Sequence, residues 1–196
     1  ATEDVTKAYA YKTALALNAD YSMVSVSGYG IISGFTNDGN KIPQQTIPQY
    51  YDKLGFSYNK FADSITVSET EWDFERYKPD IIVINLGTND MSYATTDERK
   101  AEFEDGYLDF LKKVRSLNPD SYIFQSYGVM GTSLEENIEN VRRKYMSETG
   151  DERITFIPLT MQDEDADGIV ADWHPSPKTH SLVSQKVTAA IKETLG

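Results

Sequence analysis

Apolar and polar positions along the chain predict alternating strands and helices. The clearest strand covers residues 79–87, PDIIVINLG, an unbroken β-branched run that is typical of a strand buried on both faces of a parallel sheet. We therefore predict that it is a central strand. Shorter apolar runs predict further strands over residues 22–27, 121–127 and 154–157.

Helical spacing of apolar residues predicts four helices. The first covers residues 6–18, and the second follows Thr95-Thr96-Asp97-Glu98, which has the spacing of a capping box, and ends before Asn118-Pro119. Ser133-x-x-Glu136 opens a third helix. Ser176-Pro177 supplies an N-cap and a first-turn proline for a helix that runs to Leu195.

Strands that alternate with helices predict an α/β fold with a mostly parallel sheet. Ligands of such sheets bind at the carboxyl ends of the strands. Three polar or glycine-rich segments are expected there: SGYG at 27–30, LGTND at 86–90 and DADGIVADWHPS at 165–176. Residues 35–73 form a long connection, which is expected to be functional or to carry short helices.

Composition narrows the classes of partner and chemistry. The 196 residues, 39% of them hydrophobic, fit one globular domain, and the formal charge of −12 disfavours nucleic acid and membrane-surface partners because it repels phosphate. The chain has no Cys and two His, so a zinc site would need His174, His180 and carboxylates. No apolar run approaches the roughly 20 residues that span a bilayer.

Two polar groups are candidates for chemistry. Asn89 and Asp90 directly follow the predicted central strand, where they are either site residues at the rim of the sheet or an ordinary capping pair. A lone loop His such as His174 is commonly a surface residue. Its neighbours Asp172, Trp173 and Pro175 favour instead a positioned imidazole, because a general base needs a fixed orientation.

The ordered segments SGYG, VINLGTND and ADWHPS resemble blocks II, III and V of the SGNH (GDSL-type) hydrolases. The flanking sequence resembles their carbohydrate esterase family 2 branch, which includes acetylxylan esterases. This resemblance implies that residues 1–196 form a flavodoxin-like three-layer α/β/α sandwich. It also implies a secreted enzyme that removes O-acetyl groups from plant polysaccharides such as xylan or mannan by serine-type acyl transfer, with no metal or organic cofactor.

Residue matching to the family assigns roles to individual positions. The backbone N–H of Gly28 and the side-chain amide of Asn89 would form the oxyanion hole, and His174 would be the base. Trp173 is a candidate to stack on sugar rings. His180, inside the last predicted helix, is most simply a packing or surface residue.

The family's nucleophile block, a Gly-Asp-Ser-type motif on the first strand of the sheet, does not precede the glycine block here. We therefore expect the domain to be incomplete at its N-terminus, with the serine and its strand upstream of Ala1, a residue that itself fits a processed or excised terminus. Residues 62–66, ADSIT, imitate the motif through Ser64, but they follow the glycine block. Ser27, beside Gly28, is a further alternative.

The acid is the second departure from the family. SGNH hydrolases place Asp three residues before the His, a position that is Ala171 here, and Asp172 stands one residue later. Either Asp172 orients the imidazole, or a backbone carbonyl such as that of Trp173 does so and the enzyme uses a Ser–His dyad.

Other functions remain open from the sequence. Residues 163–168, DEDADG, match half of an EF-hand calcium loop, but the twelfth position falls on His174 where a bidentate Glu is needed, so a solvated acidic loop is the simpler interpretation. A carbohydrate-binding remnant without catalysis is the alternative from another class. A lipase or thioesterase on the same scaffold is a third hypothesis.

Overall fold

A parallel sheet lies at the centre of the computed structural model, which describes residues 4–56, 60–61 and 64–196. In chain order the described strands are Lys60–Phe61 (β1), Ile65–Thr66 (β2), Ile81–Ile84 (β3), Tyr122–Tyr127 (β4) and Ile154–Pro158 (β5). The last three form the parallel sheet in the order β3-β4-β5, and β1 and β2 form a separate antiparallel pair. The carboxyl ends of β3, β4 and β5 therefore share one edge.

The described part of the chain contains five α-helices. They are Tyr9–Ala16 (α1), Asp97–Leu117 (α2), Glu135–Thr149 (α3), Glu164–Asp167 (α4) and Pro177–Leu195 (α5). Single 3-10 turns cover Val5–Lys7, Ile47–Gln49, Asp90–Ser92 and Ala171–Trp173. The four helices predicted from periodicity are thus confirmed, and α1 is shorter than predicted.

Side-chain caps stabilise the starts of the two longest described helices, α2 and α5. The Thr96 hydroxyl accepts the N–H of Arg99 at the start of α2, and the Ser176 hydroxyl accepts the N–H of Lys178 at 3.2 Å at the start of α5. The cap predicted from Ser133 is wrong, because the residue before α3 is Leu134, which makes no side-chain cap.

The sheet is covered on both faces, which confirms the predicted three-layer α/β/α class. Along β4, Ile123 and Tyr127 pack into the cluster that contains the apolar faces of α2 and α3. Phe124 points the other way and packs with Val187 of α5, next to α1. All three β4 side chains are 0% exposed, so β4 is the strand buried on both faces.

Two strand predictions need correction. Residues 22–27 form no strand and are largely exposed. A strand requires a neighbour for its N–H and C=O groups, and this segment pairs with no other strand among the described residues. Within the described residues β3 is an edge strand rather than a central one, since it pairs with β4 alone. Its residues Ile81, Ile82 and Val83 are accordingly only half-buried.

The long connection over residues 35–73 contains the Ile47–Gln49 turn and the β1–β2 pair, in agreement with the prediction of short elements there. Of the imitation motif, Ala62 and Asp63 lie outside the described residues, and Ser64 immediately precedes β2. Among the described helices, none combines the length and the apolar character needed to cross a bilayer.

Candidate active site

The glycine-rich segment after residue 27 is a tight loop. Gly28 has a φ of +78°, a backbone conformation that favours glycine. Its carbonyl accepts the N–H of Phe35 at 2.9 Å, and the N–H of Tyr29 donates to the carbonyl of Val26 at 3.3 Å. The N–H of Gly28 itself has no hydrogen-bond partner among the described residues. This donor is therefore available to a ligand.

Asn89 lies against the same loop. It follows β3 in the segment that leads into the Asp90–Ser92 turn, and its amide Nδ2 donates to the Tyr29 carbonyl at 2.8 Å. An amide nitrogen carries two hydrogens, so one remains for another acceptor. The structure thus brings the Gly28 and Asn89 segments together, and their role as oxyanion donors stays a prediction.

His174 lies in a narrow hairpin-like loop. Ile169 and Pro175 form an isolated antiparallel β-bridge, and the N–H of Val170 donates to the His174 carbonyl at 2.9 Å. The ring Nδ1 is 3.1 Å from the carbonyl oxygen of Ala171. Because a carbonyl only accepts, this contact places the imidazole proton on Nδ1 and leaves the lone pair on Nε2. The ring is exposed and Nε2 has no hydrogen-bond partner among the described residues.

The residues before His174 adopt an unusual backbone. Asp172 and Trp173 have φ values of +56° and +57°. Residues other than glycine adopt this left-handed backbone at a cost of order 1–3 kcal/mol each. The Trp173 carbonyl accepts from Gln162 Nε2 at 2.8 Å, and Trp173 as a whole residue is 66% exposed. Asp172 makes no hydrogen bond to His174 among the described residues. The carbonyl against the ring belongs to Ala171 rather than Trp173, and the role of Asp172 stays a prediction.

Sequence reasoning missed Gln162. Besides holding the Trp173 carbonyl, its backbone N–H donates to the carbonyl of Val129 at 2.9 Å, which attaches the His174 loop to the chain that follows β4. No local pattern identifies such a residue, because both of its partners, Val129 and Trp173, lie far from it in sequence.

The two halves of the site meet the same edge of the sheet. Asn89 follows β3, and the His174 loop follows β5, so both come after the carboxyl ends of parallel strands. Among the described residues no hydrogen bond joins His174 to Gly28 or Asn89.

The acidic segment before His174 is used structurally. Asp163 caps α4 by accepting the N–H of Ala166 at 2.8 Å, and Asp167 pairs with Lys178 Nζ at 2.9 Å. In the described part of the chain, no group of three or more His and acidic side chains is arranged to hold a metal ion.

His180 connects α5 to α1. Its Nδ1 accepts the N–H of Tyr9 at 3.2 Å, and the two rings stack with an interplanar angle of 17°. Burial, followed by the charges of Lys12 and His174, lowers the pKa of His180 below its ordinary value. His180 is therefore a packing residue.

An α/β/α sandwich with an amide, a glycine loop and a histidine at the strand ends defines a class of hydrolase. The chain belongs to the GDSL-like lipase/acylhydrolase family, whose model matches residues 6–182.

Named relatives are similar over nearly the whole chain. The chain is 33% identical to the cellulase/esterase CelE of Acetivibrio thermocellus, over 96% of this chain and 22% of that protein. It is 24% identical to an acetylxylan esterase/glucomannan deacetylase of Cellvibrio japonicus, over 96% of this chain and 48% of that protein. The chain therefore spans about half or less of these curated relatives.

Solved structures share the fold. An acetyl xylan esterase, Est2A, from the rumen bacterium Butyrivibrio proteoclasticus superposes with a TM-score of 0.88 at 27% identity, covering 98% of this chain and 56% of that one. A family two carbohydrate esterase from Clostridium thermocellum, solved in complex with cellohexaose, has a TM-score of 0.80 at 32% identity, covering 99% of this chain and 56% of that one.

Proposed function

We propose that this chain is part of a carbohydrate O-acetyl esterase that removes acetyl groups from plant polysaccharides such as xylan or mannan. The observation that carries the proposal is the hydrogen bond from Asn89 Nδ2 to the Tyr29 carbonyl, which holds an amide donor against the loop that contains Gly28. The N–H of Gly28 has no hydrogen-bond partner among the described residues. The relatives with esterase names support the ester bond and the carbohydrate substrate. A cellulose-derived oligosaccharide bound to one of them supports sugar recognition.

Each group has a defined step in this reaction. A serine hydroxyl attacks the acetyl carbonyl while Nε2 of His174 takes its proton, and Gly28 N–H and the Asn89 amide donate to the oxyanion that forms. The carbonyl–oxygen bond to the sugar then breaks, and His174 returns the proton to the sugar oxygen. Water attacks the acetyl-serine in the same way and releases acetate.

Either Ala171 or Asp172 orients the base. The carbonyl of Ala171 already lies 3.1 Å from Nδ1 and fixes the tautomer that the reaction needs, which supports a Ser–His dyad. Under this proposal Asp172→Asn in the complete enzyme leaves kcat unchanged, whereas a triad predicts a large loss.

The serine is proposed to come from polypeptide outside residues 1–196, on a strand that pairs with the edge of β3 that has no neighbouring strand within the described residues. Hydrogen bonds alternate along a parallel strand, so half of the N–H and C=O groups of Ile81–Ile84 point away from β4. The half-buried side chains of Ile81, Ile82 and Val83 offer an apolar surface that such a strand would cover. Intact mass and N-terminal sequencing of active enzyme purified from its source test this point, and a sole 22.1 kDa species would count against it.

The remaining expectations follow from the same proposal. Trp173, an exposed residue next to the base in sequence, would stack on a sugar ring of the substrate. An enzyme that acts on plant cell-wall polymers must meet them outside the cell, so we also propose that the protein is secreted.

The decisive experiment uses the complete protein and a substrate series. We expect release of acetate from acetylated xylan and glucomannan and turnover of p-nitrophenyl acetate, and we expect His174→Ala to abolish both. Sugar binding without any turnover would support the carbohydrate-binding remnant instead. Hydrolysis restricted to long-chain acyl esters or thioesters would support a lipase or thioesterase.

A further inference from the structure

Asp90, next to the proposed oxyanion donor Asn89, is a fully buried carboxylate that binds the glycine-rich loop. It accepts the N–H of Ile31 at 2.8 and 3.0 Å, of Ile32 at 2.8 Å and of Ser33 at 3.1 Å. Its side chain is 0% exposed. Three successive backbone donors around one carboxylate form an anion-binding nest.

Backbone dipoles, rather than a basic side chain, balance this charge in the described residues. Burial raises the pKa of Asp90, and the N–H groups of Ile32, Ile31 and Ser33 oppose that rise by stabilising the charged form. All of the partners of its carboxylate oxygens are donors, which suits an ionised group.

The loop is shaped to close around this carboxylate. A Cβ placed on Gly30 would lie 2.4 Å from Asp90 Oδ2 and 2.1 Å from the Ser33 carbonyl oxygen, so only glycine permits the approach. Ser92 adds a second attachment, because its hydroxyl accepts the N–H of Thr36 at 2.9 Å and donates to the Asn89 carbonyl at 2.7 Å. The Asp90–Ser92 turn thus holds the loop at two points.

On the basis of the proposed function, we propose that Asp90 and Ser92 are positioning residues that set the Gly28 N–H relative to the Asn89 amide. Asn89 and Asp90 are consecutive, so any movement of the loop against Asp90 is also a movement against Asn89. The hydrogen bond from the Asn89 amide to the Tyr29 carbonyl fixes only one point of the loop, so by itself it would let the loop rotate about that point. Oxyanion stabilisation depends on donors that are already aligned, so this second attachment controls kcat.

The test compares Asp90→Asn and Ser92→Ala with Asp151→Asn in the complete enzyme. Asp151 is a matched control, because it is a largely buried carboxylate bound to Arg115 and Tyr145 at the amino-terminal end of β5, away from the proposed site. We expect Asp90→Asn to lower kcat on p-nitrophenyl acetate by about 10- to 100-fold with KM within about threefold, as a misplacement of the donors predicts. Ser92→Ala should lower kcat by a smaller factor, and Asp151→Asn should leave it unchanged.

Hydrogen exchange supplies a readout that does not depend on turnover. The amides of Ile31, Ile32 and Ser33 should exchange faster in Asp90→Asn and retain their wild-type rates in Asp151→Asn. If exchange accelerates while kcat stays within twofold of wild type, the loop attachment has no role in positioning and the inference is overturned.

Other outcomes also decide the question. A parallel loss of kcat in Asp90→Asn and Asp151→Asn would indicate general destabilisation and would contradict the inference. If Asp90→Asn does not fold, Ser92→Ala decides, and a wild-type kcat in that variant would refute it. If the wild-type enzyme itself has no esterase activity, the proposed function is refuted, and the positioning role that rests on it is refuted with it. Hydrogen exchange would then show only whether Asp90 holds the amides of Ile31, Ile32 and Ser33.

Discussion

Replacement of Asn89 by Ala is the sharpest single test of the proposed oxyanion hole. In the structure Asn89 Nδ2 donates one hydrogen to the Tyr29 carbonyl at 2.8 Å, and its second hydrogen remains for the substrate. Loss of one aligned oxyanion donor costs about 3–4 kcal/mol of transition-state stabilisation, or about 100- to 1000-fold in kcat. Loss of the bond to Tyr29 should lower the free energy of unfolding by only about 1 kcal/mol.

The control is another asparagine at the opposite end of the sheet. Asn118 is 5% exposed, and its Nδ2 donates to the Tyr51 hydroxyl at 2.9 Å and to the Val114 carbonyl at 3.0 Å. It lies between α2 and β4, at the amino-terminal end of the strand, so Asn118→Ala removes the same atoms without touching the site. We expect it to destabilise the fold at least as much as Asn89→Ala and to leave kcat unchanged.

The assay is steady-state hydrolysis of p-nitrophenyl acetate by the complete enzyme, with urea unfolding of each variant. Asn89→Ala should lower kcat with little change in KM, since the oxyanion exists only after the attack begins. A folded Asn89→Ala variant whose kcat stays within about threefold of wild type would refute the assignment. Equal losses of kcat in the two variants would refute it as well, because the effect would then follow stability.

Three further predictions concern other positions. Trp173→Ala should raise KM for acetylated xylo-oligosaccharides but not for p-nitrophenyl acetate, with stability within about 0.5 kcal/mol of wild type as for an exposed residue, measured by kinetics and urea unfolding. The folded state lowers the pKa of His180, so the stabilisation that neutral His180 gives to the fold is present above the unfolded pKa near 6.5 and is lost as pH falls. His180→Asn keeps an acceptor for the Tyr9 N–H and should therefore flatten the dependence of the unfolding free energy on pH between pH 7.5 and 5.5. Burial alone would raise the pKa of Asp151, but the Arg153 N–H, the Tyr145 hydroxyl and Arg115 outweigh burial and lower it. The stabilisation that ionised Asp151 gives to the fold is therefore lost as pH falls below about 4. Asp151→Asn should lower the free energy of unfolding by about 1–2 kcal/mol at pH 7 and weaken its dependence on acid pH, both measured by urea unfolding.

Local patterns were sufficient for the helices and for β4. Thr96 and Ser176 are caps whose partners lie within three residues, so short-range spacing identifies them. Ser133 has the same spacing, but α3 begins after Leu134 without a side-chain cap. A capping motif states a local preference, and the packing of the helix decides whether the preference is used.

Strand position was harder to predict than strand identity. The β-branched run of β3 predicts a strand correctly, but the number of its neighbours depends on chain elsewhere, and within the described residues it has one. Residues 22–27 have strand-forming composition, but within the described part of the chain they pair with no neighbouring strand, and a strand cannot supply its own hydrogen-bond partners.

The sequence by itself determined the α/β class, the family and the segments that carry Gly28, Asn89 and His174, because each depends on residue order and short spacing. The tertiary structure alone showed that Asn89 meets Tyr29, 60 residues away, and that Asp90 holds the backbone of residues 31–33, 57 to 59 residues away. It also showed that the Ala171 carbonyl lies against the imidazole. The first two contacts depend on which strand ends the sheet brings to one edge, and the third depends on the left-handed backbone of Asp172 and Trp173, so no local pattern encodes them.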